Sequence, residues 1–483
     1  MAPPHSRLAG ALALLLTVLP LKAAANGRMP GANDVVFDPS DPQHSLLRAT
    51  FGVLQSFDSG KSWQWLCEQS IGTSGVVADP PIAILSDGTI VVLPPTGGAL
   101  LSRNAGCSWR HAAPPLSAER GVDLTLDPSD PAHLLVLTST LDDVDDAGFG
   151  TYRNLLIETR DSGRAWRVLA SLPTDFEAET VEIAPSDRAR IYLSGTASTN
   201  PRLGIVLCSE DGGASWTRRT LDLPAGTGSL LISAVDHRLA DRLWLRAPGR
   251  GDTLGLLPTR LYVSDDKGQS ARIIASTRRG MLGFALSPDG TQLAYGGPSD
   301  GLYVGPSDGS AELAHVSSSG VRCLRWHESE TLYACGTEPT DSFSLGISHD
   351  RGASFDTLYA LALTCPQACA AGPTAMLCQE AWQPVASFIG ASQHMCVASG
   401  TGRDLDAGAV SVSGRAGTGG GRSVGAAAAV SGSFGVKASA PDASGCSCQA
   451  AGAARVRSCI ALSFWLALST LLCVRHGRRR GSS

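Results

Sequence analysis

SFDSGKSW at residues 56–63 is the first of seven related phrases. It is followed by SRNAGCSW (102–109), TRDSGRAW (159–166), SEDGGASW (209–216), SDDKGQSA (264–271), the degraded GPSDGSAE (305–312) and SHDRGASF (348–355). Counted between Asp58, Asn104, Asp161, Asp211, Asp266, Asp308 and Asp350, the intervals are 46, 57, 50, 55, 42 and 42 residues. A period of this length belongs to an array of like units and not to one irregular domain. An apolar run such as GIVLC (204–208) precedes a copy and an alternating run such as TRRTL (217–221) follows it, which puts the phrase at the turn of a hairpin. Asp58, Asp161, Asp211 and Asp350 offer carboxylates to backbone N–H groups, and Gly60, Gly163, Gly213 and Gly352 permit positive φ. Trp63, Trp109, Trp166 and Trp216, with Phe355 in the last copy, offer large apolar surfaces to a neighbouring unit. These residues are therefore read as makers of the fold.

A second phrase interleaves with the first: VVFDPSDPQHSLL (35–47), LTLDPSDPAHLLV (124–136), VEIAPSDRARIYL (181–193) and FALSPDGTQLAYG (284–296), with looser versions at 81–93, 230–245 and 321–335. Apolar alternation on both sides of a Pro/Asp/Ser turn is again a hairpin. Two hairpins make four strands, and seven such pairs predict an all-β, seven-bladed β-propeller over residues 26–360. The S-x-D-x-G-x-x-W phrase resembles the Asp-box, or BNR repeat, of sialidase-like, sortilin-like and photosystem II assembly-factor-like propellers. The resemblance spans residues 35–360 and speaks to fold more than to activity, because one frame hosts many functions.

The ends of the chain predict export and anchoring. Residues 1–25 combine a short basic start, an apolar stretch from Leu8 to Leu21 and a small-residue site ending at Ala25, the pattern of a cleaved secretory signal. Residues 397–445 hold too few large apolar side chains to fold and read as a flexible stalk. Residues 446–483 begin at Cys446 and Cys448, continue through an uncharged apolar stretch from Ser458 to Val474, and end in a basic cluster that favours an inward-facing terminus after a membrane-spanning helix. This order resembles the MYXO-CTERM sorting signal of myxobacterial surface proteins. The resemblance implies cleavage near Cys446 by a membrane-embedded sorting protease, with lipid attachment there; retention of the helix stays open.

Nine of the 13 cysteines lie between signal and stalk, which suits an oxidising compartment. Cys323 and Cys335 flank one hairpin and suit a bridge across it. Cys67 and Cys107 lie in successive blades and suit an inter-blade bridge. Cys365, Cys369, Cys378 and Cys396 bracket an amphipathic pattern (Met376, Leu377, Trp382, Val385, Phe388, Ile389), read as a small helical cap over 361–396 closed by two bonds of its own, leaving Cys208 unpaired. Zinc is disfavoured because the spacing misses the usual paired ligand blocks.

Residues 26–396 carry 27 Lys and Arg against 41 Asp and Glu, a balance of 27 − 41 = −14, which excludes nucleic acid as a natural partner. Asp142, Asp143, Asp145 and Asp146 form an acidic loop, read as solvated in preference to calcium-binding. Sialidases need an arginine triad, a tyrosine nucleophile and an acid/base Asp. Here the early Arg-Ile-Pro signature has only a distant echo in Gly27-Arg28-Met29-Pro30, and Tyr262, Tyr303 and Tyr333 occupy strand positions that packing explains. The expectation is a monomeric, non-catalytic surface module that binds an extracellular protein or glycan, without cofactor. Leu141–Thr151 and Ala247–Pro258 are the expected contact loops, and a divergent glycoside hydrolase is the alternative.

Overall fold

The computed structural model describes residues 28–76, 79–198, 203–224, 226–249, 258–327, 331–391 and 396. Seven antiparallel four-stranded sheets follow one another along the chain, with spatial order equal to chain order: blade 1 (32–67), blade 2 (82–111), blade 3 (121–171), blade 4 (176–221), blade 5 (231–276), blade 6 (283–317) and blade 7 (323–359). First strands of successive blades pack side by side around the axis, including those of blades 7 and 1. This is the seven-bladed all-β propeller expected from the repeats. Meander connectivity sends the first–second and third–fourth turns to one face, here the turn face. The second–third turns and blade-to-blade links emerge on the other, the connection face.

The recurring phrase forms the third–fourth turn. In blade 1, Asp58 Oδ1 accepts the Ser56 hydroxyl at 2.8 Å and the Ser62 N–H at 2.9 Å, while Gly60 N–H donates to Ser56 Oγ at 2.8 Å. Asp161, Asp211, Asp266 and Asp350 repeat the pattern, and Asn104 reproduces it with an amide oxygen. The degraded sixth copy keeps only Ser310 N–H on Asp308. The residue before the glycine is also left-handed, with φ of 59° at Ser59, 56° at Ser162 and 60° at Arg351.

The glycine also serves packing. A Cβ on Gly60, Gly106, Gly163, Gly213, Gly268, Gly309 or Gly352 would strike Leu358, Leu66, Leu101, Leu169, Val206, Ile274 or Leu302 respectively, always an aliphatic of the preceding blade. The aromatic that ends the phrase lies in the same seam. Trp166 joins the core between blades 2 and 3, and Trp63 meets Tyr359 of blade 7 at 5.7 Å. Ion pairs between blades, among them Arg164–Asp87 at 2.9 Å and Lys267–Glu210 at 2.7 Å, border the seams on the turn face.

Every blade is built from contiguous chain, so no strand is exchanged at the ring closure. Side chains and a C-terminal clasp close it instead. Arg322 of blade 7 donates to Asn33 Oδ1 at 2.7 Å, and Arg325 reaches Asp34 and the Val35 carbonyl, both at 3.2 Å. After blade 7 the strand Thr364–Pro366 pairs in parallel with Trp63–Cys67 as a fifth strand of blade 1. The helix Pro373–Ile389 then packs on blade 1.

The bridges are Cys67–Cys378, Cys107–Cys369, Cys323–Cys335 and Cys365–Cys396, and Cys208 is free and buried. Two expectations are corrected. Cys67 and Cys107 do not pair with each other, and the cap keeps one bond to itself because the fifth strand carries Cys369 and Cys378 to the propeller wall. The apolar face of the helix also differs from expectation. Thr374, Cys378, Trp382, Ala386 and Ile389 are buried, whereas Met376, Leu377 and Phe388 are 74%, 41% and 60% exposed, because the Cys378 bridge sets the rotation of the helix. Among the described residues no helix is long and apolar enough to cross a membrane; the signal segment, the stalk, Cys446, Cys448 and the 458–474 stretch lie outside them.

Gly212 and Gly213 separate the two demands on this turn. Both have positive φ, at 70° and 95°, but a Cβ on Gly212 meets nothing within 4 Å, whereas one on Gly213 lies 2.9 Å from Leu169. Gly212→Ala is expected to cost about 1 kcal/mol, and Gly213→Ala roughly 2–4 kcal/mol, strain and overpacking together. Equal midpoints in urea unfolding of the two variants would refute the packing role.

Candidate functional site: the two faces and the axis

Residues of the first strands place a polar cluster around the axis. Asp34 is 4% exposed and lies between Arg325 and Arg48, the latter at 3.9 Å. Opposite them, Thr125 donates to Glu182 Oε2 at 3.3 Å, and Asp123 Oδ2 accepts the Val181 N–H at 3.0 Å. Asp123 and Glu182 are 2% and 1% exposed. Burial, and after it the charge of Asp123, pushes the Glu182 carboxyl well above the usual carboxylate range. The burial of both carboxyl groups keeps substrate away from them. The sequence reading did not single out this pair; its signal was the acid within the otherwise apolar runs VDLTLD and VEIA.

The turn carboxylates are occupied by their own loops. The Ser215 hydroxyl and N–H, with the Ser209 hydroxyl, hold Asp211 at about 2. The corresponding Ser354 and Ser348 contacts hold Asp350 at about 2. Gly60, Gly163, Gly213 and Gly352 form the seams between blades together with Trp63, Trp166 and Trp216.

The second phrase carries an Asp–His pair that the sequence reading also missed. Asp38 caps Ser40 N–H with one oxygen and meets His44 Nδ1 at 2.8 Å with the other. Asp127 and His133 repeat this in blade 3, where His133 Nε2 also meets Glu158 at 2.9 Å. The spacing D-P-S-D-P-x-H, present twice, was the available signal. Arg28, the echo of an arginine signature, makes a two-pronged ion pair with Asp79 at 2.9 Å on each arm. Tyr262 is 8% exposed, Tyr303 stacks on Tyr295 at 5.0 Å and Tyr333 meets Phe37 at 4.9 Å.

The acidic stretch is a projecting hairpin and not an irregular loop. Blade 3's second strand, Asp130–Val144, last pairs with the inner strand at Thr138 but stays paired with Gly150–Thr159 as far as Val144. Its end therefore rises from the connection face. Asp145 Oδ1 accepts N–H groups of Ala147 and Phe149 at 3.0 and 2.8 Å, and Asp142 meets Arg153 at 3.4 Å. Among the described residues no group of three or more His, Cys, Asp or Glu side chains converges as metal ligands. Residues 250–257, most of the second expected contact loop, lie outside the described residues.

Two small cavities lie among the described residues. One of about 300 Å³ opens on the connection face at blade 6 and is lined by Arg278, Asp300, Tyr303 and His315, with Asp300 already accepting from Arg278. The other, about 180 Å³, opens on the turn face between blades 6 and 7.

Fold and faces together define the class: a single seven-bladed β-propeller with a disulfide-bonded C-terminal clasp. No protein-family model matches the chain, and no curated protein does. Among solved structures it is similar to an ancestral GH74 enzyme, with 17% identity over 65% of this chain and 44% of that one, and a TM-score of 0.47. The chain thus spans less than half the length of that enzyme. It is also similar to YCF48 from Cyanidioschyzon merolae, with 13% identity, 67% and 96% coverage and a TM-score of 0.44. A third likeness is the Cps50 (Swd1) β-propeller domain of Myceliophteria thermophila, with 12% identity, 66% and 96% coverage and a TM-score of 0.42.

The acid pair at the axis makes a signed prediction. A carboxyl whose affinity is raised by folding does not affect stability below its unfolded value. It costs up to about 1.4 kcal/mol per pH unit above that value, until its folded value is reached. Glu182→Gln removes this cost, so its melting temperature should gain on the parent as pH rises from 4 to 8. A constant difference across that range would show that Glu182 ionises freely in the fold.

Proposed function

We propose that this chain is a non-catalytic binding module of the cell surface, an Asp-box propeller that presents its connection face to an extracellular protein or glycan. The observation that carries this reading is the disposition of its carboxylates. Those in the turns are bonded to their own loops, and the axial pair is buried under the inner strands. A run of consecutive exposed acids sits instead on the projecting blade 3 hairpin, where Leu141 and Val144 are 50% and 52% exposed beside Asp142 and Asp143. A rigid hairpin offering apolar and acidic groups together suits recognition of a partner with a basic surface. A divergent glycoside hydrolase is the alternative, favoured by the resemblance of the turns to those of sialidases.

The same proposal includes export after cleavage at Ala25, a stalk over 397–445, and processing at Cys446 or Cys448 by a sorting protease. The bridges support an oxidising destination.

A screen of the purified chain for partner capture from envelope extracts, alongside turnover of fluorogenic sialosides and glucans, tests both readings. Charge reversal of Asp142, Asp143 and Asp146 to Lys should weaken capture at least tenfold without shifting the melting temperature. Turnover that disappears on substituting exposed acids would make the chain a glycosidase. In the producing cell, Cys446→Ala should accumulate a longer, unprocessed form on immunoblots; an unchanged length would exclude sorting at that residue.

A further inference from the structure

We propose that the C-terminal clasp is a load-bearing coupling: tension on the chain beyond Cys396 passes into the walls of blades 1 and 2 and leaves blades 3–7 and the ring closure unloaded. This rests on the reading of residues 397–445 as a stalk, but its test does not. Cys396 is bonded to Cys365 in the fifth strand, Thr364–Pro366. Four residues on, Cys369 is bonded to Cys107 in the third–fourth turn of blade 2, and Cys378 in the helix is bonded to Cys67 at the end of the outer strand of blade 1. A pull at Cys396 therefore reaches two blade walls through covalent bonds. Blades 3–7 lie wholly inside the loop that Cys107–Cys369 closes, so the pull does not travel along them.

The noncovalent attachment alone would fail at the weakest place in the ring. The fifth strand pairs with blade 1 at Thr364, Cys365 and Pro366 and no further. Without bridges, a pull at Cys396 strips the helix, this strand and then the outer strand Asp356–Tyr359 of blade 7 in chain order, and opens the seam to blade 1 that no exchanged strand secures. Two bridges to the walls bar that route. Cys365–Cys396 is the most informative of the three, because it joins no blade to another and ring closure does not need it. It moves the point where the chain leaves the fold from the end of the helix Pro373–Ile389 to the fifth strand, four residues from the bond to blade 2. Tension then bypasses the helix end. Cys67 and Cys378 are 0% and 2% exposed, which shields the second wall bond from thiol exchange.

The test is single-molecule stretching of the full chain, with attachment tags inserted before Arg28 and after Cys396. With the bridges intact, the shortest covalent path between the tags covers 39 residues from Arg28 to Cys67 and 13 from Cys378 back to Cys365. At about 3.5 Å per residue the parent should lengthen by no more than about 180 Å. Cys67→Ser, Cys107→Ser, Cys369→Ser and Cys378→Ser together leave only Cys365–Cys396 on the path, which then covers 337 residues from Arg28 to Cys365. That variant should lengthen by about 1,200 Å, opening from the blade 7 end at lower force. Reduction of the folded parent on the instrument gives the same comparison without asking the variant to fold, and should release a similar length. The coupling is overturned if the bridged parent lengthens well beyond about 180 Å, or if the chain without its wall bridges bears the same force without lengthening.

Discussion

The contact on which this ring depends is the pressing of each turn glycine against an aliphatic side chain of the blade before it. It recurs at every seam, and at Gly60 against Leu358 it joins the first blade to the last. The carboxylate ahead of the glycine anchors the turn, so a left-handed backbone and a close approach are met by one residue. The aromatic three residues later then fills the seam that the glycine leaves narrow. Loss of the glycine would separate the sheets and expose apolar area on both, at roughly 25 cal/mol for each Å².

Ring closure is the weak point of any such array, because the last blade must find the first across the whole chain. Here no exchanged strand enforces it. The C-terminal clasp takes that role with one parallel strand and two bridges to the propeller. Cys67–Cys378 has a sequence separation of 311, and closing so long a loop in the unfolded chain removes entropy worth about 6 kcal/mol. Arg322, Arg325 and the stacking of Phe37 on His327 at 4.4 Å then set the register of the closing seam.

The number of blades and the all-β architecture were legible in the sequence because a period repeated seven times averages out local ambiguity. Elements present once were not so legible. The partners of Cys67 and Cys107 depended on where a non-repeating segment lands after blade 7, which no periodicity encodes. The outward face of the Pro373–Ile389 helix was misread because Met376, Leu377 and Phe388 look like core by composition, while the Cys378 bridge decides the rotation. The axial acids were hidden for the opposite reason: a polar residue within a strand reads as an exposed position when the strand is alone.

In a repeat protein, function is sought where one copy breaks the pattern that the others keep. The residue just before the first turn is Phe37, Leu85, Leu126, Ile183, Val235 and Leu286 in blades 1 to 6, none with a polar side-chain atom. Blade 7 alone places Trp326 there, and packing needs only its apolar surface, since six hydrocarbon side chains fill the same position. Its N–H is surplus to the fold. Trp326 thus keeps the apolar packing of that position, while its indole N–H, shielded from solvent, finds no acceptor among the described residues.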